Sequence, residues 1–499
     1  MAELRLGEHT PLLHELLDQA DHAGAYLIAR LQRVESRSLN VANGVTESMA
    51  ATLGQGIGLQ VFDREGHTAF ASTDRVEAAA ARAALQSALA GLRAAGRANL
   101  QRNDAIFAVE PLQATAVGPA PYDIEHLSLA EIEEHAVAMN REVMTMGSDL
   151  KVRTPFLINR EEWRVVRSDG TDVGYLLPHG YCYNSITAQR NGETHTVGAS
   201  LSRTGYEIFL HADERATLML RSARAADRAQ QLLEAPRYPA GSYPLIMDYA
   251  MAKGLAHEAF GHAAETDGLR TSILGKSGSF RQGERMASEF VSIIDESLTG
   301  DHAYQPFSPN GLRRGRATIL DHGVLTDALA DVFSARSAGV RVIDAARAQS
   351  YSNVPVPRMT NIRIELPEPM PMQGSFEEQT PASVRSAVLN AGLLRAGEPV
   401  LYLAGYKGGQ VNPAQGDFVF NCAALYELSV EGVRLFQPGI FSGRTEAALH
   451  AIRAGFGPLQ LDAMGFCGKA GQSVPSSGGS HYFLYLEAHP QVMIGGSAG

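Results

Sequence analysis

His257 and His262 flank Glu258 in the stretch Leu255-Ala256-His257-Glu258-Ala259-Phe260-Gly261-His262. Neutral imidazole is the commonest nitrogen ligand for zinc, and a carboxylate beside the first ligand can take a proton from an activated water. Such a set serves hydrolysis. The spacing departs from H-E-x-x-H, whose histidines at i and i+4 share one helix face. At i and i+5 a regular helix turns about 500°, leaving the second imidazole roughly 140° from the first. One wide π-type turn of about 4.4 residues restores a common face, and turns of that kind favour functional sites. Gly261 makes a local distortion there sterically cheap.

A catalytic zinc takes three protein ligands and keeps one open position. Cys467 is the first candidate for the third, because it sits in Gly465-Phe466-Cys467-Gly468-Lys469-Ala470-Gly471-Gln472, where glycines permit close backbone approach. His481, Glu265 and His322 are the alternatives. Glu265, three residues past His262, is also spaced to orient an imidazole. His179 and Cys182 have a spacing that a metal could use, but no second pair accompanies them, so a structural role is expected. The glycine-rich segment Gly405-Tyr406-Lys407-Gly408-Gly409-Gln410-Val411-Asn412 lacks the Gly-Lys-Ser/Thr ending of a phosphate loop. Its Gly408, Gly409, Gln410 and Val411 are instead candidates for docking an extended peptide by main-chain hydrogen bonds.

The elements that position these residues follow from periodicity. Thr10-Pro11 with Leu12, Leu13, Leu16 and Leu17 predicts a helix, with Thr10 as its cap. Strands around Gly58–Phe62 and Thr68–Ala71 flank the turn Asp63-Arg64-Glu65-Gly66. A helix is expected over Asp74–Ala95, capped by Asp74 with Glu77, and another from Ser128 with Glu131. Val152–Leu201 predicts an antiparallel meander turning at Asp169-Gly170 and Asn191-Gly192. Its Trp163, Tyr181 and Tyr183 line either a core or a cleft. A helix over Asp213–Glu234 ends in the Pro/Gly-rich stretch 235–244, and Pro244–Asp248 reads as a strand feeding the histidine motif. Asp295-Glu296 and Arg313–Arg316 read as solvated turns.

At 499 residues, the chain exceeds what one hydrophobic core supports, so two domains are expected: 1–235, a mixed α/β unit for gating and dimerisation, and 236–499, carrying the metal site. A net charge of -11 without any long basic run argues against nucleic acid as a partner. The first residues have neither the basic region nor the apolar core of a secretory signal, and no apolar run is long enough to span a membrane, so a cytoplasmic location is expected. Three cysteines, Cys182, Cys422 and Cys467, are too few for a disulfide framework.

Four ordered blocks, LAHEAFGHAAETD (255–267), YSNVPVPRMTN (351–361), GGQVNPAQGDFVF (408–420) and CGKAGQSVP (467–475), resemble the TldD/PmbA family of metallopeptidases, specifically its metal-bearing TldD-like branch. Residues 56–72 resemble the family's first domain. The resemblance implies a two-domain α+β fold, one Zn²⁺ per chain held by His257, His262 and Cys467, and Glu258 as catalytic base. It also implies a homodimer, or a heterodimer with a metal-free paralogue, acting on unfolded or short peptides in an enclosed site, including a dedicated peptide substrate. The chain departs from the family pattern after Pro475, where Ser476-Ser-Gly-Gly-Ser-His-Tyr-Phe483 replaces a valine/glycine-rich stretch. Two other readings remain: a zinc-containing binding subunit of a hetero-oligomeric protease, and an amide hydrolase in small-molecule biosynthesis.

Overall fold

Asn43-Gly44 and Asn191-Gly192 both place two consecutive residues at positive φ (50° and 78°, 52° and 86°). That backbone suits tight hairpins, because its twist matches that of the flanking strands. The computed structural model describes residues 4–98 and 102–495. Within it these turns join β1 (Tyr26–Ala42) to β2 (Val45–Phe62) and β6 (Asp172–Arg190) to β7 (Glu193–Arg203). With β3 (Thr68–Thr73), β4 (Gln113–Val117) and β5 (Leu150–Arg167) they form a seven-stranded sheet ordered β3-β2-β1-β5-β6-β4, with β7 also on β6. The hairpin over residues 58–71 and the meander from Val152 are formed as expected, in the registers Phe62↔Thr68 and Phe156↔Cys182.

The helices follow the predicted stripes, with shifted starts. Thr10–His22 buries Leu13 and Leu16, but its cap is His9, and the Thr10 hydroxyl instead donates to the Gly7 carbonyl. The second helix begins at Ala78, so Asp74 and Glu77 make no capping pair. Ser128 and Glu131 form the full reciprocal box that opens Leu129–Met144.

A second sheet, of thirteen strands, is drawn entirely from residues after 244. Its centre is β8 (Leu245–Asp248), parallel to strand Val400–Asn412 on one side and antiparallel to strand Gln472–Leu486 on the other. All four β8 residues are buried. A short apolar run sandwiched between two longer strands has little freedom, so whatever follows β8 starts from a rigid point.

Each sheet has an apolar cluster of its own, and the two also share one. Helix Ala212–Leu232 contributes Ala225, Ala226 and Leu232 to one apolar cluster that joins Ile158, Cys182 and Leu201 of the first sheet to Ile246, Tyr402 and Phe483 of the second. No helix among the described residues is long and apolar enough to cross a membrane. The mixed architecture agrees with the α+β expectation.

The charged runs differ from expectation. Asp295 lies inside strand Ser292–Glu296 at 0% exposure and pairs at 2.6 Å with the equally buried side chain of Arg314. Its other oxygen accepts from the Thr360 amide at 2.7 Å. Charge alone does not reveal burial, and here two sequence-distant partners neutralise each other. Removing one partner of a buried pair strands the other. Asp295→Asn, nearly isosteric, is therefore expected to cost about 3 kcal/mol of unfolding free energy in denaturant titration; a loss below about 1 kcal/mol, the range of exposed pairs, contradicts this reading.

Candidate metal centre

The Asp248 carboxylate caps the helix that follows β8, accepting from the Met251 amide at 3.0 Å, and its second oxygen accepts from the Gly405 amide at 2.6 Å. Helix Tyr249–Gly254 is α-helical, Leu255–Gly261 is a π-helix, and His262–Ala264 is a 3₁₀ turn. The wide turn falls between the two histidines. Their rings consequently come to 5.1 Å between centroids, at 90° to one another. Gly261 serves this differently from the expected backbone freedom, since its φ and ψ of -60° and -48° are ordinary helical values. A Cβ there would lie 2.1 Å from the Met359 sulfur, so glycine is required by close packing under the turn.

His257 is 1% exposed, and neither of its ring nitrogens has a hydrogen-bond partner. Burial, then the nearby Lys253 and His262, push its pKa well below the usual value, so the ring is neutral. His262 Nδ1 is 3.1 Å from Glu265 Oε2, and its Nε2 is 3.5 Å from Cys467 Sγ. Burial disfavours the imidazolium, but Glu265 and Cys467 outweigh that and raise its pKa to about 10. Burial likewise opposes the Cys467 thiolate, yet His262 and Arg358 hold the thiol below its ordinary range. The Arg358 Nε donates to Cys467 Sγ at 3.4 Å, and a second guanidinium nitrogen donates to the Cys467 carbonyl.

His257, His262 and Cys467 each offer one ligand atom, and all three atoms lie within 4.8 Å of one another. An imidazole buried with both nitrogens unsatisfied is costly unless something binds it. Two nitrogens and a sulfur held below its usual pKa are a borderline-soft donor set of the kind zinc takes. The residues therefore fit a zinc ion. Glu258 stands at the edge, its side chain 29% exposed and its Oε2 3.8 Å from His262 Nε2.

The other candidates lie elsewhere. His481 is committed to the Leu366 amide and the Gly457 carbonyl, and His322 is exposed on a turn beside Asp321. Glu265 orients His262. Cys182 packs on Met139 in the shared core, and His179, three residues away on the same strand, lines a separate cavity with Trp163. Gly408, Gly409, Gln410 and Val411 lie on strand Val400–Asn412 at and after a bulge between Tyr406 and Gly409.

Three supporting residues escaped the sequence reading. Lys469 bridges Glu265 (2.8 Å) and Asp267 (2.6 Å), tying the cysteine loop to the end of the histidine helix. Arg358 grips the cysteine from the proline-rich block. Lys253, one turn before His257, is buried, and its ammonium lies 3.4 Å from the Ser476 hydroxyl. Arg358 and Lys469 sit inside blocks already singled out, but nothing local assigns them a role.

Residues 240–454 match the PmbA/TldA metallopeptidase C-terminal domain, and residues 29–91 match PmbA/TldA metallopeptidase domain 1. The first match contains both histidines and stops short of Cys467. A protein from Archaeoglobus fulgidus named metalloprotease is 32% identical over 277 residues, 55% of this chain and 58% of that one. A Methanothermobacter thermautotrophicus metalloprotease is 25% identical over 98% of this chain and 99% of its own. A protein from Saccharolobus solfataricus, named zinc metalloprotease TldD homolog, is 28% identical over 48% of this chain and 50% of its own. Among solved structures, TldE from Thermococcus kodakarensis superposes with a TM-score of 0.73 at 14% identity, covering 97% of this chain and 100% of that one, a likeness of fold. With both domain matches in chain order and relatives spanning its length, the chain belongs to the PmbA/TldD family of metallopeptidases.

Proposed function

We propose that the chain is a zinc-dependent peptidase of the metal-bearing TldD-like branch, hydrolysing unfolded or short peptides. The observation that carries this is the trio of buried His257, half-buried His262 and buried Cys467 with the partly exposed Glu258 beside it. His257, His262 and Cys467 would hold a zinc ion, which would supply Lewis acidity for a scissile carbonyl and a bound water. Glu258 accepts the proton of the attacking water and delivers it to the departing amine. Glu265, backed by Lys469, keeps the His262 ring turned so that its Nε2 faces the cysteine. Arg358 stabilises the thiolate and restrains its loop.

The substrate runs along strand Val400–Asn412. Its pairing with β8 covers only Leu401–Leu403, while its other side is paired with strand Asp417–Leu428 as far as Asn412. Beyond Leu403 the β8 side has no strand partner among the described residues, and Gly408, Gly409, Gln410 and Val411 lie there. Free main-chain groups of this kind select extended chains, because a folded substrate has already committed its own strand edges. Residues 1–235 wall the site, residues 236–499 carry it, and the active form is a homodimer or a heterodimer with a metal-free paralogue. The shared core ties the first half to the second: a protein starting at Ala240 exposes the face of Ile246, Tyr402 and Phe483 that residues such as Cys182, Leu201 and Ala226 cover.

Cys467→Ser is expected to lose most of its zinc after dialysis, measured by elemental analysis, because two imidazoles alone hold the ion poorly. Full occupancy in that variant moves the third ligand elsewhere. Glu258→Ala is expected to keep fold and zinc while peptide hydrolysis falls by at least about a hundredfold. Near-normal turnover in Glu258→Ala leaves this mechanism without its base.

A further inference from the structure

On the opposite side of strand Gly465–Lys469 from the Cys467 thiol lies a second cavity, of about 290 Å³. Neighbouring residues of a strand face opposite ways, so Phe466, at 44% exposure, stands over this cavity while Cys467 faces the histidines. The cavity floor is one patch of the first sheet. Asn159, Glu161 and Trp163 alternate along β5, directly opposite His179, Leu177 and Tyr175 on β6.

The patch is rich in unused hydrogen-bonding capacity. The Tyr175 hydroxyl, Asn159 Oδ1 and both ring nitrogens of His179 are buried without a partner. Glu161 Oε1 accepts from the Trp163 indole and from Gln32 at 2.9 Å. Its Oε2 is 3.6 Å from His179 Nε2, too far for a hydrogen bond, and no lysine or arginine among the described residues lies within ion-pairing distance of it. The Glu161 side chain is 13% exposed. An enclosed carboxylate lacking a cation is costly and calls for one. Arg347 also lines the cavity and keeps its positive charge, because its Nε and one Nη bond only the neutral oxygens of Gln305, Met359 and Pro475; it forms no ion pair with Glu161. His302 adds no charge, since burial and then His179 hold it neutral. Trp163 and Tyr175, stacked at 6.2 Å, complete an aromatic wall of the kind that favours a cation.

We propose that this cavity is a specificity subsite for a cationic side chain of the substrate, a primary ammonium or guanidinium, with Glu161 as its counter-charge. The inference rests on the peptidase reading above. Phe466 and Cys467 are neighbours on strand Gly465–Lys469, so a peptide brought along strand Val400–Asn412 to the metal centre reaches the cavity with a side chain carried past the edge of that strand. The substrates are then peptides with lysine or arginine close to the cleaved bond.

Trp163 is the only tryptophan in the chain, so its fluorescence reports directly on the cavity. N-acetyl-lysine methylamide and N-acetyl-norleucine methylamide, titrated separately, differ in the cationic group with no free α-amine in either. Wild type is expected to bind the lysine probe at least about tenfold more tightly, the scale of a charge-assisted hydrogen bond. In Glu161→Gln, which retains an oxygen for Trp163 and Gln32, the preference is expected to fall to within about twofold. Asn159→Asp, adding a second negative charge, is expected to raise it. Equal binding of the two probes by wild type, or a lysine preference that survives Glu161→Gln, overturns the proposal. Cleavage of matched lysine and norleucine peptides at equal rates overturns it too, while leaving the peptidase reading intact. Lysine-selective binding in a protein that cleaves no peptide defeats the peptidase reading and leaves the cation site standing.

Discussion

The two histidines are five positions apart, and a regular helix cannot bring both rings to one ion. The structure meets this constraint with a π-helix over Leu255–Gly261, and much of the second half serves to keep that wide turn in place. β8 enters the helix from the middle of a sheet, Asp248 caps its first turn, and Met359 fills the space under Gly261. A wide turn sacrifices regular hydrogen-bond geometry, so it persists where surrounding packing leaves no alternative. Here Ala256, Ala259, Phe260 and Ala263 are all nearly or fully buried in the main core.

Charge is arranged around that turn with the same economy. Lys253, Arg347 and Arg358 surround the buried histidine and cysteine, and all three contribute to keeping the His257 ring neutral. Their positive charge also suits a thiolate at Cys467. On the far side Glu265 and Lys469 form a chain from His262 back to the cysteine loop. The site is thus held by two sequence-distant clamps, Arg358 on the cysteine and Lys469 on the helix end. The divergent segment after Pro475 is part of this frame: Ser476 faces Lys253, and Ser477 bonds Asn361 and Asp301.

How much of this was legible in the sequence depends on how local each feature is. The wide turn was readable, because an i, i+5 pair with a glycine between has few ways to share a ligand. The meander's hairpins are readable from Asp169-Gly170 and Asn191-Gly192, whereas the turn at Asn43-Gly44 that joins β1 to β2 is not among the expected ones although it carries the same signal. Gly261 was identified for the wrong reason, since its need arises from Met359, nearly a hundred residues away. Asp295 and Arg314 looked like surface charges because nothing in a charge run reveals burial. The cavity floored by Glu161 was invisible for the same cause: Asn159, His179, Arg347 and Phe466 meet only after two sheets pack together.

The central claim, that His257, His262 and Cys467 together form one zinc site open for chemistry, is tested most directly by X-ray absorption at the zinc edge on the loaded protein. The account predicts one sulfur scatterer at about 2.3 Å and two imidazole nitrogens at about 2.0–2.1 Å, with one further light atom completing a tetrahedron. A first shell without sulfur, or a six-oxygen shell of a loosely held ion, contradicts it.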